Sequence, residues 1–457
     1  MLSAESFWTY SLRAAPEGGR ITRILAAAIS AADPGASVRQ FVQRDGEMLT
    51  ISGEVYNLQL FRHVILLGIG KASISMSGAL AEILGDRLST GLVIAKHATR
   101  VSPVFSTENC SHSSLTIFMG GHPVPDGRSL EAGKKITELV SGLQADDLLF
   151  CLISGGGSAL VTAPVEGVTL SDIQVLTSML LAYGARIDEI NTLRRHLDRI
   201  KGGGIVKMSN AATIVSLILS DVVGNSLEAI ASGPTAPDPT SCAEALSILE
   251  KYELGNRIPI SILHSLRTSP ETPKPGDPVF KKVQNVIVGS NLQAAQSALA
   301  QAGMEGFHPY LLQSNLQGEA RHTGSELANT LRHARLTGVP VPGPACIVAG
   351  GETTVTLRGN GKGGRNTELA LAAVSEIADF PGVMLVTLAT DGEDGSSEAA
   401  GAVVTSETFH RAAGLDMHPA DYLERNDSYS FFSALDDLLK PGPTETNVND
   451  LAFLFIF

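Results

Sequence analysis

The chain has 457 residues, of which 46 are glycines and only 5% are aromatic, and its formal net charge is −13. A chain of this length can bury a large core and predicts two or three domains, while abundant glycine with few aromatic residues favours an α/β protein over an all-β sandwich. The acidic balance, with no block of basic residues, excludes nucleic acid and anionic membranes as partners and leaves room for a small anionic substrate.

The cysteines and the N-terminal segment indicate the cellular compartment. Cys110, Cys151, Cys242 and Cys346 contain no CxxC pair, which favours reduced thiols in an intracellular protein over a disulfide frame or a zinc site. The first 23 residues contain three arginines, as a transit peptide would, but two glutamates oppose that interpretation. No apolar stretch reaches about 18 residues, so we expect no membrane span. We predict a cytoplasmic protein, with the mitochondrion as the alternative.

The first strand–turn–helix unit runs from residue 62 to residue 84. Residues 62–70 (RHVILLGIG) predict a buried strand that ends in a glycine turn, and residues 72–84 predict a helix. The spacing is not that of a Walker loop, and Ser73 stands where a dinucleotide fingerprint has its third glycine. Lys71 is therefore predicted at a helix start beside a strand end, where open α/β sheets bind ligands.

Similar turns follow other predicted strands. The turn of Ser154, Gly155, Gly156, Gly157 and Ser158 comes after the buried strand 147–153. It lacks the G-x-S-x-G order of a nucleophilic serine, so its N–H groups and hydroxyls favour an anion cradle. Strands are also predicted at residues 91–96, 115–119 and 213–219, and helices at residues 21–32, 129–143, 171–183 and 188–200.

Three polar side chains of this half could contact a substrate. His122 lies in a Gly-Gly-His-Pro turn, although a lone histidine is more often a structural hydrogen-bonding group. Arg195 shares a helix face with Asn191 and Arg194, for which a solvated basic face is the alternative. Asp221 follows strand 213–219, where a carboxylate suits a Mg²⁺ ligand or a general base.

The second half restarts the alternation with a strand at 283–289 and a helix at 292–302. Proline-rich segments before it predict a boundary between two domains, residues 1–265 and residues 280–457. Residues 345–349 predict a buried strand, residues 354–357 a second strand, and a helix begins at about residue 367.

The stretch between these strands and the helix carries Glu352 and a glycine-rich loop with Lys362, Arg365 and Asn366. Glycines allow a backbone to approach a ligand closely, and a helix start with two cations favours anions. We therefore predict an anion-handling loop, with a surface hairpin before a capped helix as the alternative.

An acidic turn follows strand 383–389. Asp391 and Asp394 lie in this turn (TDGEDG) and suit a divalent metal ion, whereas the alternative is an ordinary Asp-Gly turn.

Ten segments in this order resemble one known family. They are GIGKAS, GGHPVPD, LISGGGSAL, INTLRRHLDRIKGGG, SLILSDVVGN, ASGPT, GGETTVTLRGNGKGGRNTELAL, ATDGEDG, AGAVV and TETNVNDL. Together they resemble the glycerate 2-kinase family with its C-terminal MOFRL domain, from about Ile21 onward. The resemblance implies a larger Rossmann-like parallel-sheet lobe, a smaller α/β lobe and an active site in the cleft between them.

The resemblance also implies an activity. Members phosphorylate D-glycerate at its 2-hydroxyl with ATP and Mg²⁺ and form 2-phosphoglycerate; the family's active-site lysine and arginine match Lys71 and Arg365. We therefore expect D-glycerate and ATP as small-molecule partners, with a homodimer left open. We expect catalysis from Lys71, Arg365 and Asp221. We expect substrate or phosphate contacts from residues 154–158, His122, Arg195, Glu352, Lys362 and Asn366, and metal binding by Asp391 and Asp394.

One position departs from the family pattern. Where members read close to TGTNVxDL, this chain has Glu445 in place of the glycine. If the turn needs a positive φ or faces phosphate, activity or stability would suffer. Two alternative functions remain: a hydroxypyruvate reductase, and a catalytically impaired sensor of sugar acids or nucleotides.

Overall fold

The structure is a computed structural model that describes residues 3–96, 114–122 and 124–457, so Cys110 lies outside the described residues. Strands and helices are numbered in chain order. The strands are β1 Val42–Asp45, β2 Met48–Ile51, β3 Glu54–Asn57, β4 Val64–Ile69, β5 Leu88–Ala95, β6 Ser114–Met119, β7 Leu148–Ser154, β8 Thr213–Leu219, β9 Val283–Gly289, β10 His308–Leu316, β11 Ala345–Gly351, β12 Val383–Ala389, β13 Gly401–Thr405, β14 Leu438–Leu439 and β15 Asp450–Ile456. The helices are α1 Tyr10–Ala14, α2 Gly18–Ala31, α3 Pro34–Phe41, α4 Ser73–Leu84, α5 Gly127–Ser141, α6 Gly157–Leu160, α7 Leu170–Ala182, α8 Ile187–His196, α9 Gly204–Met208, α10 Cys242–Lys251, α11 Ile260–Thr268, α12 Asn291–Met304, α13 Ala320–Thr337, α14 Arg365–Val374, α15 Thr408–Ala413, α16 Pro419–Glu424 and α17 Ser428–Ala434.

The chain divides into two compact units. The parallel-sheet unit comprises Pro34–Ser220 and Asn225–Val288, and the mixed-sheet unit comprises Met1–Asp33, Asp221–Gly224 and Gly289–Phe457. This division differs from the predicted domains chiefly at the first 33 residues. They pack with the C-terminal part because α2 lies against α12.

The parallel-sheet unit is organised around one six-stranded sheet with the order β6-β5-β4-β7-β8-β9. Neighbouring strands from β6 to β8 pair in parallel, and every residue of β4 and β7 is buried, as continuous apolar runs predict. The chain runs outward from β4 and then returns to β7 on the other side of β4. This reversal creates a topological switch point at the ends of β4 and β7. The predicted parallel sheet is confirmed.

A helical layer of the same unit has its own apolar core. Helices α7, α8, α10 and α11 contribute its buried residues, among them Leu176, Leu193 and Leu249. Capping boxes begin α7 at Thr169 and α10 at Ser241, where each hydroxyl accepts from a backbone N–H three residues on. This layer fixes where α8 ends and α10 begins.

The mixed-sheet unit contains a second sheet with the order β10-β11-β15-β12-β13-β14. The C-terminal strand β15 lies antiparallel between β11 and β12, and sequence analysis did not predict it. The predicted strand at 354–357 is wrong. Thr354 forms an isolated bridge to Glu319, and Leu357 is 79% exposed, so the segment forms neither a ladder nor a buried face.

Within the described residues, no helix combines the length and apolar character that crossing a membrane requires.

Candidate active-site residues

The turn after β4 is fastened to its neighbours. Gly70 has φ +128°, and a Cβ there would lie 2.2 Å from the Ser154 Oγ, so the position requires glycine. The N–H groups of this turn all have protein acceptors: Gly70 donates to Ile94 O, Lys71 to Gly155 O, Ala72 to Ser154 Oγ, and Ser73 to Gly70 O. The turn therefore has no amides left for a phosphate, and Ser154, which is 1% exposed, holds it in place.

The turn after β7 has the opposite character. The N–H of Gly155 continues the ladder toward β8, whereas the N–H groups of Gly156, Gly157 and Ser158 have no hydrogen-bond acceptor among the described residues. Gly156 has φ +81° and begins the short helix α6. Three adjacent amides thus lie open at a switch point, which is compatible with the predicted anion cradle, and that cradle stays a prediction.

Lys71 and His122 lie over this cradle. A Cβ at Gly156 would be 3.2 Å from Lys71 Cγ and 3.3 Å from His122 Cδ2, so both side chains touch the glycine face. Lys71 is exposed, and its ammonium makes no hydrogen bond or ion pair with any described residue. The structure thus brings Lys71, His122 and the 156–158 amides together.

A strained segment supports the cradle from below. Ala231 and Ser232 have φ values of +51° and +62°, unusual for residues with a Cβ. The Ser158 Oγ lies 2.8 Å from the Ser232 Oγ, which in turn donates to Asn191 Oδ1 at 3.2 Å. The motif ASGPT was the available signal, but sequence reasoning interpreted it only as a turn. Strain of this kind concentrates at functional sites.

Arg195 has a structural role in place of the predicted substrate contact. Its side chain is 5% exposed, and its Nε donates to Asp238 Oδ1 at 2.8 Å. The other guanidinium nitrogens donate to Glu228 O, Thr192 Oγ1 and Thr240 Oγ1. The α8 face that carries Arg195 points inward, so neither the substrate contact nor the solvated basic face applies to it.

The glycine-rich loop 359–364 also differs from its interpretation. A Cβ at Gly361 would lie 2.4 Å from Asp427 Cβ, and one at Gly359 2.4 Å from Arg425 Cα. Several loop amides donate within the protein, for example Gly361 N to Arg425 O and Lys362 N to Asp427 Oδ1. The glycines allow the loop to pack on residues 425–428, and the predicted anion-handling loop is not the arrangement observed.

Arg365, the first residue of α14, is held by two carboxylates. Its Nε and Nη2 donate to the carboxylate of Asp450, and its Nη1 donates to Glu352 Oε1 at 2.6 Å. Three of the five N–H groups of the guanidinium donate in these hydrogen bonds. Burial raises the pKa of Asp450 to about 7, although Arg365 opposes this shift. Asp450, the first residue of β15, was not predicted from the sequence, because its contact with Arg365 joins residues 85 positions apart.

The carboxylate of Asp394 accepts hydrogen bonds from the first residues of α14, and its role as a metal ligand stays a prediction. The residue is 1% exposed, and its carboxylate accepts from Asn366 N, Thr367 N and Thr367 Oγ1 at 2.7 to 2.9 Å. Burial raises its pKa, and these hydrogen bonds oppose the shift. Both oxygens are therefore committed to the orphan donors of a helix start. Asn366, 3% exposed, belongs to the same anchor.

Lys362 is paired on the surface. Its Nζ lies 2.7 Å from Glu398 Oε2 and 3.8 Å from the centroid of the Tyr429 ring. This arrangement holds the loop against α17 and does not direct the ammonium toward Arg365.

Asp221 and Asp391 remain candidates for metal or proton chemistry. Both are half-buried, and Asn449 connects their turns. Its Nδ2 donates to Asp221 O at 2.8 Å, and its carbonyl accepts from Thr390 N at 3.1 Å. Both turns therefore lie beside the start of β15, and this position suits carboxylates that share one substrate.

Glu445 adopts the backbone that a glycine would favour. Its φ is +62°, and its side chain is exposed. The expected positive φ is therefore present at the position where the family pattern has glycine.

Comparison with known proteins agrees with this architecture. Residues 20–267 match a family model described as "Domain of unknown function (DUF4147)", and residues 345–450 match the MOFRL family. The chain is 39% identical to a D-glycerate 2-kinase of Thermotoga maritima over 85% of this chain and 89% of that protein. It is also 39% identical to an Agrobacterium vitis protein provisionally named a hydroxypyruvate reductase, over 86% and 87% of the two chains. The crystal structure of a glycerate kinase from Thermotoga maritima superposes with a TM-score of 0.84 at 36% identity, covering 95% of this chain and 98% of that one.

The order of the parallel sheet and its switch point define a Rossmann-like α/β protein. With the matches above, the chain belongs to the glycerate 2-kinase family, with a DUF4147 region followed by a MOFRL domain.

Proposed function

We propose that this chain is a glycerate 2-kinase, which transfers the γ-phosphoryl group of ATP to the 2-hydroxyl of D-glycerate with Mg²⁺. The relatives at 36–39% identity over most of the chain support this reaction. The observation that carries it in this chain is the turn 156–158, whose three amides find no acceptor among the described residues, with the Lys71 ammonium, which no described residue pairs, beside it.

The cradle and Lys71 are assigned to phosphate. Phosphoryl transfer depends on positioning and on neutralising charge, and amides and a lysine provide both without needing to react. Lys71 is not consumed by an ion pair with any described residue, so its full charge is available to the transferring group. His122 borders the same surface and would contact the substrate.

Arg365 is assigned to an anionic group of the substrates, either the glycerate carboxylate or a phosphate. Its two remaining N–H bonds can hold two oxygens of one anion. Asp450 and Glu352 fix the plane of the guanidinium, so the orientation of the bound anion is set before binding. These two carboxylates therefore act as positioning residues.

The chemical step replaces one P–O bond by another. The 2-hydroxyl oxygen attacks the γ-phosphorus, the bond to the β–γ bridging oxygen breaks, and ADP leaves with that electron pair. We assign the hydroxyl proton to the carboxylate of Asp221 and metal binding to the carboxylate of Asp391, which is half-buried in the acidic turn after β12. When bound, Mg²⁺ supplies positive charge to the nucleotide phosphates.

The test is an assay with D-glycerate, ATP and Mg²⁺ in which NMR distinguishes 2-phosphoglycerate from 3-phosphoglycerate. We expect 2-phosphoglycerate from the unaltered chain and a loss of roughly 10²-fold or more in turnover for Lys71→Ala. The matched control is Lys134→Ala, an exposed lysine of α5, which should leave turnover unchanged. Near-normal turnover of a folded Lys71→Ala variant would contradict the assignment.

The second candidate is a hydroxypyruvate reductase, the provisional name of one relative. Its nicotinamide nucleotide would need free amides after β4, but that turn donates all of its N–H groups within the protein and has Ser73 at the third glycine position. A fluorescence titration with NADH and NADPH decides the point. We expect no binding, and saturable binding with reduction of hydroxypyruvate would replace the kinase proposal.

A further inference from the structure

A cluster of three metal-ligating side chains lies in the helical layer of the parallel-sheet unit. His196 ends α8, Cys242 begins α10, and Glu271 follows α11 in a loop. Their donor atoms all lie within 4.8 Å of one another, and among the described residues no other three histidine, cysteine or acidic side chains group in this way. His196 and Glu271 also border a cavity of about 770 Å³. None of the three is assigned to phosphoryl transfer.

The imidazole of His196 presents one nitrogen to this cluster without a partner. Its side chain is 1% exposed, and Nδ1 lies 2.9 Å from the backbone carbonyl oxygen of Thr192. Because a carbonyl oxygen can only accept a hydrogen bond, Nδ1 must carry the hydrogen. The neutral ring therefore keeps its lone pair on Nε2, which is buried and has no hydrogen-bond partner among the described residues. Proteins usually orient a metal-binding histidine through a hydrogen bond from its other ring nitrogen, the one that does not bind the metal, to a carbonyl or carboxylate oxygen.

The groups that face Nε2 all attract cations. Glu271 Oε2 is 3.4 Å away and Asp238 Oδ2 is 3.6 Å away. A lone pair that faces two carboxylate oxygens in a buried position is repelled by them unless a positive charge lies between. Nearby cations are already paired, since Arg195 donates to Asp238 and Lys274 lies 2.8 Å from Glu271.

Cys242 completes the set from the half-exposed side of the cluster. Its backbone N–H donates to Glu271 Oε1 at 2.9 Å, so the start of α10 and the loop are held together before any ion binds. One nitrogen, one sulfur and one carboxylate oxygen are donors that Zn²⁺ accepts, and three protein ligands with a fourth open position are typical of zinc outside closed structural sites.

We propose that His196 Nε2, Cys242 Sγ and the carboxylate of Glu271 bind one Zn²⁺-class divalent cation. Sequence analysis excluded zinc because no CxxC pair is present, but these ligands are distant in sequence and meet only through the packing of α8 against α10. Binding displaces the thiol proton to solvent and moves Glu271 from Lys274 to the metal. The fourth ligand is a water molecule on the cavity side.

Cobalt provides a direct test on the full-length chain after chelator treatment. We expect one Co²⁺ per chain, a thiolate-to-cobalt charge-transfer absorption band, and displacement of cobalt by Zn²⁺. Cys242→Ala should abolish the band, and His196→Gln should weaken Co²⁺ binding by about 100-fold or more, since even the loss of a supporting partner costs 10- to 100-fold. The matched control is Cys346→Ala, a buried cysteine of β11, which should keep the band.

Circular dichroism without metal verifies that each variant is folded. A band that persists in Cys242→Ala would overturn the proposal, as would no stoichiometric cobalt binding by the unaltered chain. The test does not depend on the kinase proposal, because its readout is metal binding.

Discussion

At the scale of single residues, Asp450 determines how Arg365 is held. The carboxylate takes two of the guanidinium's donors, and its pKa is raised to about 7 chiefly by burial. The ionised form grips Arg365, whereas a proton on Asp450 removes the charge that makes the pair strong. Activity should therefore depend on a group that titrates near neutral pH.

We predict that kcat/KM falls about tenfold per pH unit below about pH 7, because the ionised fraction of Asp450 falls by that factor. Folding stability changes in the opposite sense. A carboxyl whose folded pKa lies above its ordinary value stabilises the fold in acid, and this contribution is lost as the pH rises through about 7. The measurement is a kcat/KM profile from pH 5.5 to 8.5.

The comparison variant is Asp450→Asn. It should be less active at pH 8, since Arg365 loses its strongest partner. Below pH 7 its kcat/KM should fall only as far as the titration of ATP itself requires, an effect that both proteins share. An unchanged fall in this variant would show that another group controls the pH dependence.

The turn that precedes β15 offers a test of backbone strain at Glu445. A residue with a Cβ in the left-handed region destabilises the fold by about 1–2 kcal/mol. Replacing it by glycine removes this strain but loses about 0.5–1 kcal/mol, because glycine has more conformational entropy to lose on folding. Glu445→Gly should therefore raise the unfolding midpoint by roughly 1–4 °C. The matched substitution is Gly442→Ala, at φ +81° with no atom within 4 Å of the new Cβ, which should lower it. Equal shifts for both in calorimetry would exclude backbone strain as the cause.

Sequence patterns predicted the positions of some site residues in the fold and not of others. Lys71 was predictable because a cation directly after a buried strand and before a helix must lie at the carboxyl edge of the sheet. Arg195 had the same kind of signal on a helix, but its inward orientation depends on Asp238, 43 residues away. Asp450 was not predictable because its partner Arg365 lies on another element, and residue spacing does not encode that contact.

At the scale of elements, the start of α14 depends on Asp394. Replacing the carboxylate by an amide leaves two buried N–H groups and the Thr367 hydroxyl facing a weaker acceptor, at a cost of about 2–4 kcal/mol. Asp394→Asn should lower the unfolding midpoint by roughly 5–10 °C, equally with and without Mg²⁺. Thermal melts in both buffers provide the measurement.

Asp391→Asn is the counterpart in the same turn. We expect its midpoint to change little and its activity to need more Mg²⁺. A Mg²⁺ requirement that increases in Asp394→Asn and not in Asp391→Asn would reverse the two roles and restore Asp394 as the metal ligand.

Elements were predictable where the local pattern suffices. The predicted strands 213–219 and 383–389 coincide with β8 and β12, because continuous apolar runs between turn residues fit a strand buried on both faces. The predicted strand 283–289 coincides with β9, an edge strand that is only partly buried. β15 was not predicted, although its sequence is as apolar as that of β12. The prediction of a strand at 354–357 failed because a strand also needs a hydrogen-bonding partner, and this segment forms only the isolated bridge between Thr354 and Glu319.

At the scale of the whole molecule, the N-terminal residues belong with the C-terminal unit. Arg23 pairs with Glu305 at 2.7 Å, and the Ser11 N–H and Oγ both donate to the buried carboxylate of Asp437 at 2.8 Å. Long-range contacts of this kind leave no trace in composition or periodicity. A domain boundary drawn from the sequence alone therefore assigned the first 33 residues to their neighbours in the chain.

Hydrogen exchange can measure this assignment by a reciprocal pair of substitutions. Leu25 of α2 and Leu80 of α4 are both fully buried, so each change to alanine should cost about 2–5 kcal/mol locally. Leu25→Ala should speed amide exchange in α12 and β11 and leave β4 and β7 protected, because α2 packs on α12. Leu80→Ala should do the reverse. Faster exchange in β4 after Leu25→Ala would place the first 33 residues with the parallel sheet, as the sequence-based boundary predicts.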